Sequence, residues 1–466
     1  MHTEPKSRRE RAIVIGGSMA GLLAARVLAN YFQSVLIIDR DDLSNGGEQR
    51  RGVPQGRHAH ALLAAGGATI EQLIPGISRQ LIEAGAIEAD TVGDGTWFFE
   101  GGGFRKAASG VSGVLLSRPL LESTIRKRVR SLPNIEIVDG HSVRGLIASE
   151  DNSRVLGVQL DEKSIDADLV VDSTGRGSQA TAWLESMDYE APAEDKVEVQ
   201  LVYTTRMFRY VPGLLGDDRF IVISPTPTGK RGGVVALQEG NQFIVTLFGH
   251  FGEKADTELE GFIDFAKSLP SPLIYKAIRN AEPIGDAATF RFPASVRRRY
   301  ERLKSFPEGF LAFGDSICCF NPRFAQGMSV TALEAKLLDD LLTAGHEDLA
   351  PRFFREAAKV IDNPWQIAVG ADLKIPETKG RRTLAVRLIN RYIDAVHQSA
   401  HADPDVAIAF IRVAQLLAPP TSLFAPNLFR RVIWGNYRRS RGSTRKPDER
   451  IFISADSTTR LRGDSF

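Results

Sequence analysis

The sequence predicts an α/β protein: a Rossmann-like domain, interrupted by an antiparallel sheet and followed by a mostly helical C-terminal region. Three observations carry this. A strand–turn–helix–strand unit opens the chain at residues 12–40. Two later buried strands end in turns of the same character, DSTGRGS at 172–178 and GDS at 314–316. Between them, residues 180–284 change to apolar runs of strand type, such as VEVQLVYTTRMF and QFIVTLFGHF, which read as a separate antiparallel sheet.

The opening unit has a physical logic. Residues 12–15 (AIVI) form a short buried strand, 20–31 an Ala/Leu-rich helix, and 35–38 a second β-branched strand ending in Asp39. In the turn GGSMAG, Gly16 permits the sharp exit from the strand, and Gly21 permits close helix packing. The free amides of the helix N-terminus then face an anion. Asp39 stands where an acceptor for ribose hydroxyls is expected. Ser18 occupies the place of the middle glycine in G-x-G-x-x-G, so the approach is tighter but still open. The unit therefore predicts dinucleotide binding.

Composition sets the outer bounds. The 466 residues suffice for two or three domains, and 43% hydrophobic with 25% charged residues suits a globular chain. A formal net charge of +2 gives no reason to expect nucleic acid. The two cysteines, Cys318 and Cys319, are adjacent; they exclude a disulfide scaffold and a cysteine zinc site, and read as buried small hydrophobes. No apolar run reaches the ~18 residues of a membrane span. The polar, basic start reads as a frayed tail rather than a signal peptide, and a cytoplasmic location is expected.

Further along, residues 50–60 (RRGVPQGRHAH) form a basic loop feeding a helix at 61–73. His58 and His60 lack a third partner of metal-ligand type and read as hydrogen-bonded loop residues; no metal is expected. Residues 85–114 are glycine-rich and aromatic, of strand and turn type. Ser117 N-caps a helix to about residue 129, with Arg118 at its start as a candidate flavin or phosphate contact. Strands follow to residue 171. Only 258–268 reads as helix within the inserted sheet. A buried strand at 309–313 precedes Asp315, a candidate acceptor for polyol hydroxyls, and Gly327 stands just before a helix expected at 330–342. The pattern divides the chain into a nucleotide domain in three pieces (1–85, 115–180, 291–345), substrate-side strands (86–114), an inserted sheet domain (181–290) and a helical region with a basic tail (346–466). Residues 429–446 combine arginines with Trp434 and Tyr437. A solvated, partly disordered tail is the favoured reading, over contact with an anionic membrane or an acidic partner.

Taken together, the 16–39 unit, the GVPQGRHAH loop, Arg118, DSTGRGS and the 314–329 segment resemble, over roughly residues 12–345, the flavin-dependent monooxygenases of the aromatic-hydroxylase superfamily (single-component, group A). GVPQGRHAH and DSTGRGS look most like the polyene epoxidase branch. The resemblance implies a GR2-type FAD-binding domain, FAD as cofactor and NADPH or NADH as reductant. It implies Gly16, Gly17, Ser18, Met19, Ala20 and Gly21 around the pyrophosphate, and Asp39 with Arg40 at the adenosine ribose. Arg51 and Gln55 of the loop, Arg118, Asp172, Gly175, Gly314, Asp315 and Pro322 are implied as further cofactor contacts, with Gly327 and Met328 beside the isoalloxazine. The activity implied is transfer of one oxygen atom from O2, through a flavin hydroperoxide, to an apolar, aromatic or polyene small molecule, by hydroxylation or epoxidation. Trp97, Phe99, Tyr203, Arg206 and Phe248 are pocket candidates by position alone. Alternatives are a reductase of isoprenoid double bonds, a flavin-dependent halogenase, whose W-x-W-x-I-P stretch is missing here, and a FAD-binding protein without turnover.

Overall fold

The computed structural model describes residues 9–43, 50 and 52–442. Its centre is a five-stranded parallel sheet in the order Phe310–Ala312, Leu169–Asp172, Arg9–Ile15, Phe32–Ile38, Ile135–Val138. Such a sheet is covered on both faces, so its strands are near-continuous apolar runs. Residues Ala12, Ile13, Val14, Val170, Val171, Leu311 and Ala312 are indeed without solvent exposure. The helix Met19–Leu28 is buried almost all round because it is wedged between this sheet and the helices Arg118–Arg130 and Gly327–Ala344.

Local rules fix the helix that carries Arg118. Ser117 is extended and its side chain accepts from Leu120 N at 3.2 Å. Pro119 occupies the first turn and Lys127, Arg128 and Arg130 the last, where they complement the helix dipole. The helix is Arg118–Arg130, one residue longer at its end than the sequence predicts.

The inserted region is an eight-stranded sheet, antiparallel except where Phe220–Ile223 runs parallel to Gly95–Phe99. Its long strand Glu194–Arg209 pairs with Gln242–His250, setting Tyr203 opposite Phe248, Thr205 opposite Thr246 and Met207 opposite Ile244. Because side chains alternate, Tyr203 and Phe248 join the core shared with the parallel sheet, while Phe208 and Phe243 enter a second core on the other face. Expected and observed elements differ in detail. Two further short helices, Ala180–Ser186 and Leu273–Ile278, accompany Leu259–Lys267. The segment expected as helix from 61 begins only at Ala64, after a single 3-10 turn at Pro54–Arg57. Met328 and Gly327 lie inside the first turn of a helix that starts earlier than 330.

The C-terminal region consists of the helices Leu349–Asp372, Leu384–Ala400, Pro404–Ala414 and Pro426–Gly442. The last corrects the expectation of a solvated tail up to residue 442: Val432 is fully buried, Gly435 abuts Ser399, and Asn436 donates to Ala395 O at 2.8 Å. The tail's remainder, from 443, lies outside the described residues, as does the N-terminal segment 1–8. No helix among the described residues is long and apolar enough to cross a membrane.

Candidate active site

Three neighbouring parallel strands end together, and the turn after each is tied to the next. Gly16 adopts φ +100° and donates to Ile38 O at 2.8 Å. Ser173, in the second turn, donates from its hydroxyl to Ile15 O at 2.7 Å. Gly175 N donates to the Ser316 hydroxyl at 3.0 Å, joining the second turn to the third. A Cβ on Gly314 would stand 3.0 Å from that of Ala20, so the third turn lies against the first helix. The carboxyl ends of parallel strands are where open α/β sheets place their ligands.

The first turn is a cradle that side chains would fill. A Cβ at Gly21 would lie 1.7 Å from Gly16 O, and one at Gly17 would lie 2.9 Å from Leu43. Ser18, the N-cap of the helix Met19–Leu28, makes no capping bond with its side chain, and the first turn carries no acidic residue. The leading amides therefore have no intrahelical acceptor and face outward. Asp39, 6% exposed, accepts from Gly17 N at 2.6 Å and from Asp41 N at 2.8 Å. These residues fit the pyrophosphate and ribose of a dinucleotide such as FAD.

A hub that the sequence reading did not single out lies beside this cradle. Glu122, 4% exposed, accepts from Arg50 at 2.7 Å, Arg126 at 2.5 Å, Arg118 at 3.2 Å and the Ser18 hydroxyl at 2.9 Å. Burial raises its pKa, but the charges of Arg118, Arg50 and Arg126 outweigh burial and hold it below the usual carboxylate range. Arg118 also donates to Ser18 at 2.9 Å. Arg50 spans the turn, reaching Gly17 O at 3.1 Å and Asp39 at 3.2 Å. Its neighbour Arg51 lies outside the described residues. Arg40 is exposed, and Gln55 is half-buried in the Pro54–Arg57 turn.

The other predicted cofactor residues occupy the second and third turns. Asp172 is fully buried and accepts from Thr174 N at 3.0 Å and the Ser178 hydroxyl. Its role in the turn is thus to hold DSTGRGS closed; burial pushes its pKa up.. Asp315 is pushed up to about 6 by burial, against the opposing charges of Arg118 and Arg176, which places Arg118 between the first and third turns. Gly327 lies near Asp315: its Cβ would be 3.4 Å from Oδ1. Gly314 N donates to the fully buried Glu334 at 2.8 Å, and burial pushes Glu334 up to about 8. Pro322 opens a 3-10 turn pinned from its flanks: Asn321 donates to the buried Asp372 at 2.9 Å, and Arg323 lies 3.8 Å from the same carboxylate. Burial pushes Asp372 up to about 6, against Arg323.

The inner face of the large sheet meets the second turn, where Arg176 lies over the Phe290 and Phe292 rings at 5.6 and 5.5 Å. His58, 3% exposed, shares a 2.7 Å hydrogen bond between Nδ1 and the Thr205 hydroxyl, which in turn bonds to Thr246 at 2.7 Å. Ala59 N donates to the same Thr246 oxygen at 2.9 Å. The His58 ring lies 5.8 Å from Tyr203 and 5.6 Å from Phe290. Burial, with Arg57 nearby, lowers its pKa to about 4, so the ring is uncharged at neutral pH. His60 bonds to His58 O at 2.9 Å and is lowered to about 3 by burial and by Arg118, which brings the histidine loop beside the Arg118–Glu122 cluster.

The five pocket candidates separate. Tyr203 and Phe248 pack together at 5.6 Å on this inner face. Arg206 leaves the opposite face and donates to Thr257 O and Gly285 O. Trp97 and Phe99 stack on one another and pack in a third cluster, with Phe104, His397 and Phe410 beneath the C-terminal helices. There Glu100, Asp394 and His397 bring potential ligand atoms within 4.8 Å. The Lys374 ammonium already pairs with both carboxylates, so the cluster carries its own cation.

Solved flavin-dependent enzymes share the fold. The flavin-dependent brominase Bmp2 is similar at TM-score 0.64 and 15% identity, over 93% of this chain and 100% of that one. PqsL, a probable FAD-dependent monooxygenase from Pseudomonas aeruginosa, is similar at TM-score 0.57 and 15% identity, over 86% of this chain and 99% of that one. Protein Rv3254 of Mycobacterium tuberculosis is 32% identical over 437 residues, 88% of this chain and 90% of the relative. The chain belongs to the family of Rv3254. No family model matches it.

Proposed function

We propose that the chain is a FAD-dependent monooxygenase that uses NADPH or NADH and O2 to hydroxylate or epoxidise an apolar, aromatic or polyene small molecule. One observation carries the reading: three strand-end turns are tied to one another, Arg118 is bonded to the first of them, and a buried sheet face holding Tyr203 and Phe248, with His58 packed on it, lies against the second. The amides of residues 18–21 and Arg118 would hold the pyrophosphate, Asp39 the adenosine ribose, Asp315 the ribityl hydroxyls, and the first turn at Gly327 and Met328 the ring. FAD, when bound and reduced, supplies the activation of oxygen.

The chain's own residues do the rest. Tyr203, Phe248 and Phe292 are at most 5% exposed and keep water from the sheet face, which favours an apolar substrate. The Thr246–Thr205–His58 chain fixes the imidazole orientation and burial keeps that ring free of charge, while the Arg176 guanidinium lies over the Phe290 and Phe292 rings of the same face. A PqsL structure holds 2-aminobenzoylacetate, which supports a small-molecule substrate for this fold.

Halogenation is the rival on the same fold, represented by Bmp2 and by CmlS, a flavin-dependent halogenase. The sequence lacks the W-x-W-x-I-P stretch. Trp365, its nearest approximation, is buried within the helix Leu349–Asp372 against Phe320. The test incubates FAD-loaded protein with NADPH or NADH, O2 and a panel of polyenes and phenols, with and without bromide. A product heavier by one oxygen atom supports the proposal. Brominated product alone would assign the rival, and nicotinamide oxidation that no compound accelerates counts against oxygenation of this substrate class.

A further inference from the structure

The C-terminal helices carry an apolar face turned outward. On Leu384–Ala400, Leu384 and Leu388 are 77% and 68% exposed, one helical turn apart. Tyr392 continues that stripe and stacks on Phe424 at 4.6 Å and Phe429 at 5.5 Å. Phe429 begins a second stripe along Pro426–Gly442, where Ile433 is 51% and Trp434 54% exposed. The two stripes therefore form one continuous surface spanning both helices. A soluble chain seldom leaves contiguous large side chains outside without a partner surface.

Charge identifies the partner. Arg387 and Arg391 follow Leu384 by three and seven residues and so share its face; both are exposed. Arg430 is exposed between Phe429 and Ile433. The segment 426–442 contains five arginines and no acidic residue. Opposite this face, the inward residues Val432, Gly435 and Asn436 hold the helix against Ala395 and Ser399, so the apolar stripe is not an undocked core face. A helix that is anchored on one side, with aromatic and aliphatic side chains bordered by arginines on the other, has the chemistry of a segment lying in a membrane interface.

We propose that the outward face of Leu384–Ala400 and Pro426–Gly442 seats the protein on an anionic lipid surface. The aliphatic and aromatic side chains enter the acyl boundary, and Arg387, Arg391 and Arg430 meet lipid phosphates. The protein rests on the bilayer and does not span it. This is independent of the oxygenase proposal, since a protein that turned nothing over would dock equally well.

The test is flotation of the full-length protein with vesicles of phosphatidylcholine alone or mixed with phosphatidylglycerol, at low and high salt. Binding to the phosphatidylglycerol vesicles is expected to be at least tenfold tighter, on the order of fivefold per arginine engaged, and to weaken as salt screens it. Leu388→Glu and Trp434→Glu are expected to abolish binding, and Arg430→Gln to weaken it roughly fivefold, with far-UV circular dichroism unchanged. Should a variant misfold, the lipid-charge and salt dependence of the unmodified protein still decides. Absence of binding to either vesicle overturns the proposal. Binding indifferent to lipid charge overturns it as well. A concentration-dependent dimer dispersed by Trp434→Glu, without vesicle binding, would assign the face to a second copy of the chain and likewise refute it.

Discussion

Replacing Gly21 by alanine adds one methyl group at the tightest point of the first turn, where the proposal places the FAD pyrophosphate. An ideal Cβ there would lie 1.7 Å from Gly16 O, 2.9 Å from Gly16 C and 2.8 Å from the Ser173 hydroxyl. Contacts below 3.0 Å are not tolerated, and two of these atoms are backbone, so no side-chain rotation relieves them. The helix Met19–Leu28 must retreat by about 1 Å, against a core already close-packed on both of its sides. Overpacking of this kind costs ~1–3 kcal/mol of stability, and more where backbone must move. The leading amides move with the helix, and a displacement of about 1 Å at a positioned group costs on the order of 100-fold. The assay is FAD affinity by quenching of flavin fluorescence, beside urea unfolding of the apoprotein. Gly67→Ala is the control: its Cβ would meet nothing closer than Leu62 at 3.8 Å, and its helix gains from alanine. We expect Gly21→Ala to bind FAD about 100-fold more weakly and Gly67→Ala to bind it normally with equal or higher stability. FAD affinity unchanged in Gly21→Ala would refute the placement of the pyrophosphate.

Other expectations concern the groups around the cradle. Glu122→Gln removes the charge that Arg50, Arg118 and Arg126 share; unfolding free energy falls by ~3 kcal/mol, and added ADP restores more of it than in the unmodified protein, because its phosphates replace the lost anion. Thr205→Val keeps shape but strands His58 Nδ1 and Thr246, at a cost of ~1–3 kcal/mol in urea unfolding; a neutral result would show that the histidine loop does not depend on this chain. Glu334 has a folded pKa near 8, above the ordinary 4.5, so the folded state holds its proton where the unfolded state has lost it. Stability from this group is therefore full below pH 4.5 and declines as pH rises to about 8, with a slope of order 1 kcal/mol per pH unit. Glu334→Gln should flatten that decline, read as urea midpoints at pH 6 and pH 8.5.

The legible parts of this protein are those whose signals are local. The Gly16–Gly21 turn and Asp39 declare themselves within one stretch, because a tight turn needs glycine at fixed spacing and a strand end needs a polar stop. Ser117 announces its cap in the same way. Glu122 was readable in principle, since Arg118 and Arg126 stand four residues either side of it on one helical face, yet its partner Arg50 is 72 residues distant and carries no local mark. Likewise the partner of His58 is Thr205, 147 residues away, and a threonine in a strand says nothing about which histidine it meets. Alternation shows that Thr205 and Arg206 face opposite sides of the sheet, but only the packing of the other elements reveals which side meets the strand-end turns. Trp97 and Phe99 illustrate the same limit: their strand was readable, whereas the C-terminal helices that cover them are not foreshadowed by any motif near residue 97. Docking of the helix Pro426–Gly442 depends on Gly435 and Asn436 meeting Leu384–Ala400, which composition, dominated by arginine, hides.

The most direct test of the central claim is the visible spectrum of the purified protein after incubation with FAD and removal of the unbound cofactor, followed by separate additions of NADPH and NADH under air. The account predicts a yellow protein carrying one FAD per chain, bleached by one of the two nicotinamides and recolouring as oxygen reoxidises it. A colourless protein that retains no FAD would contradict it.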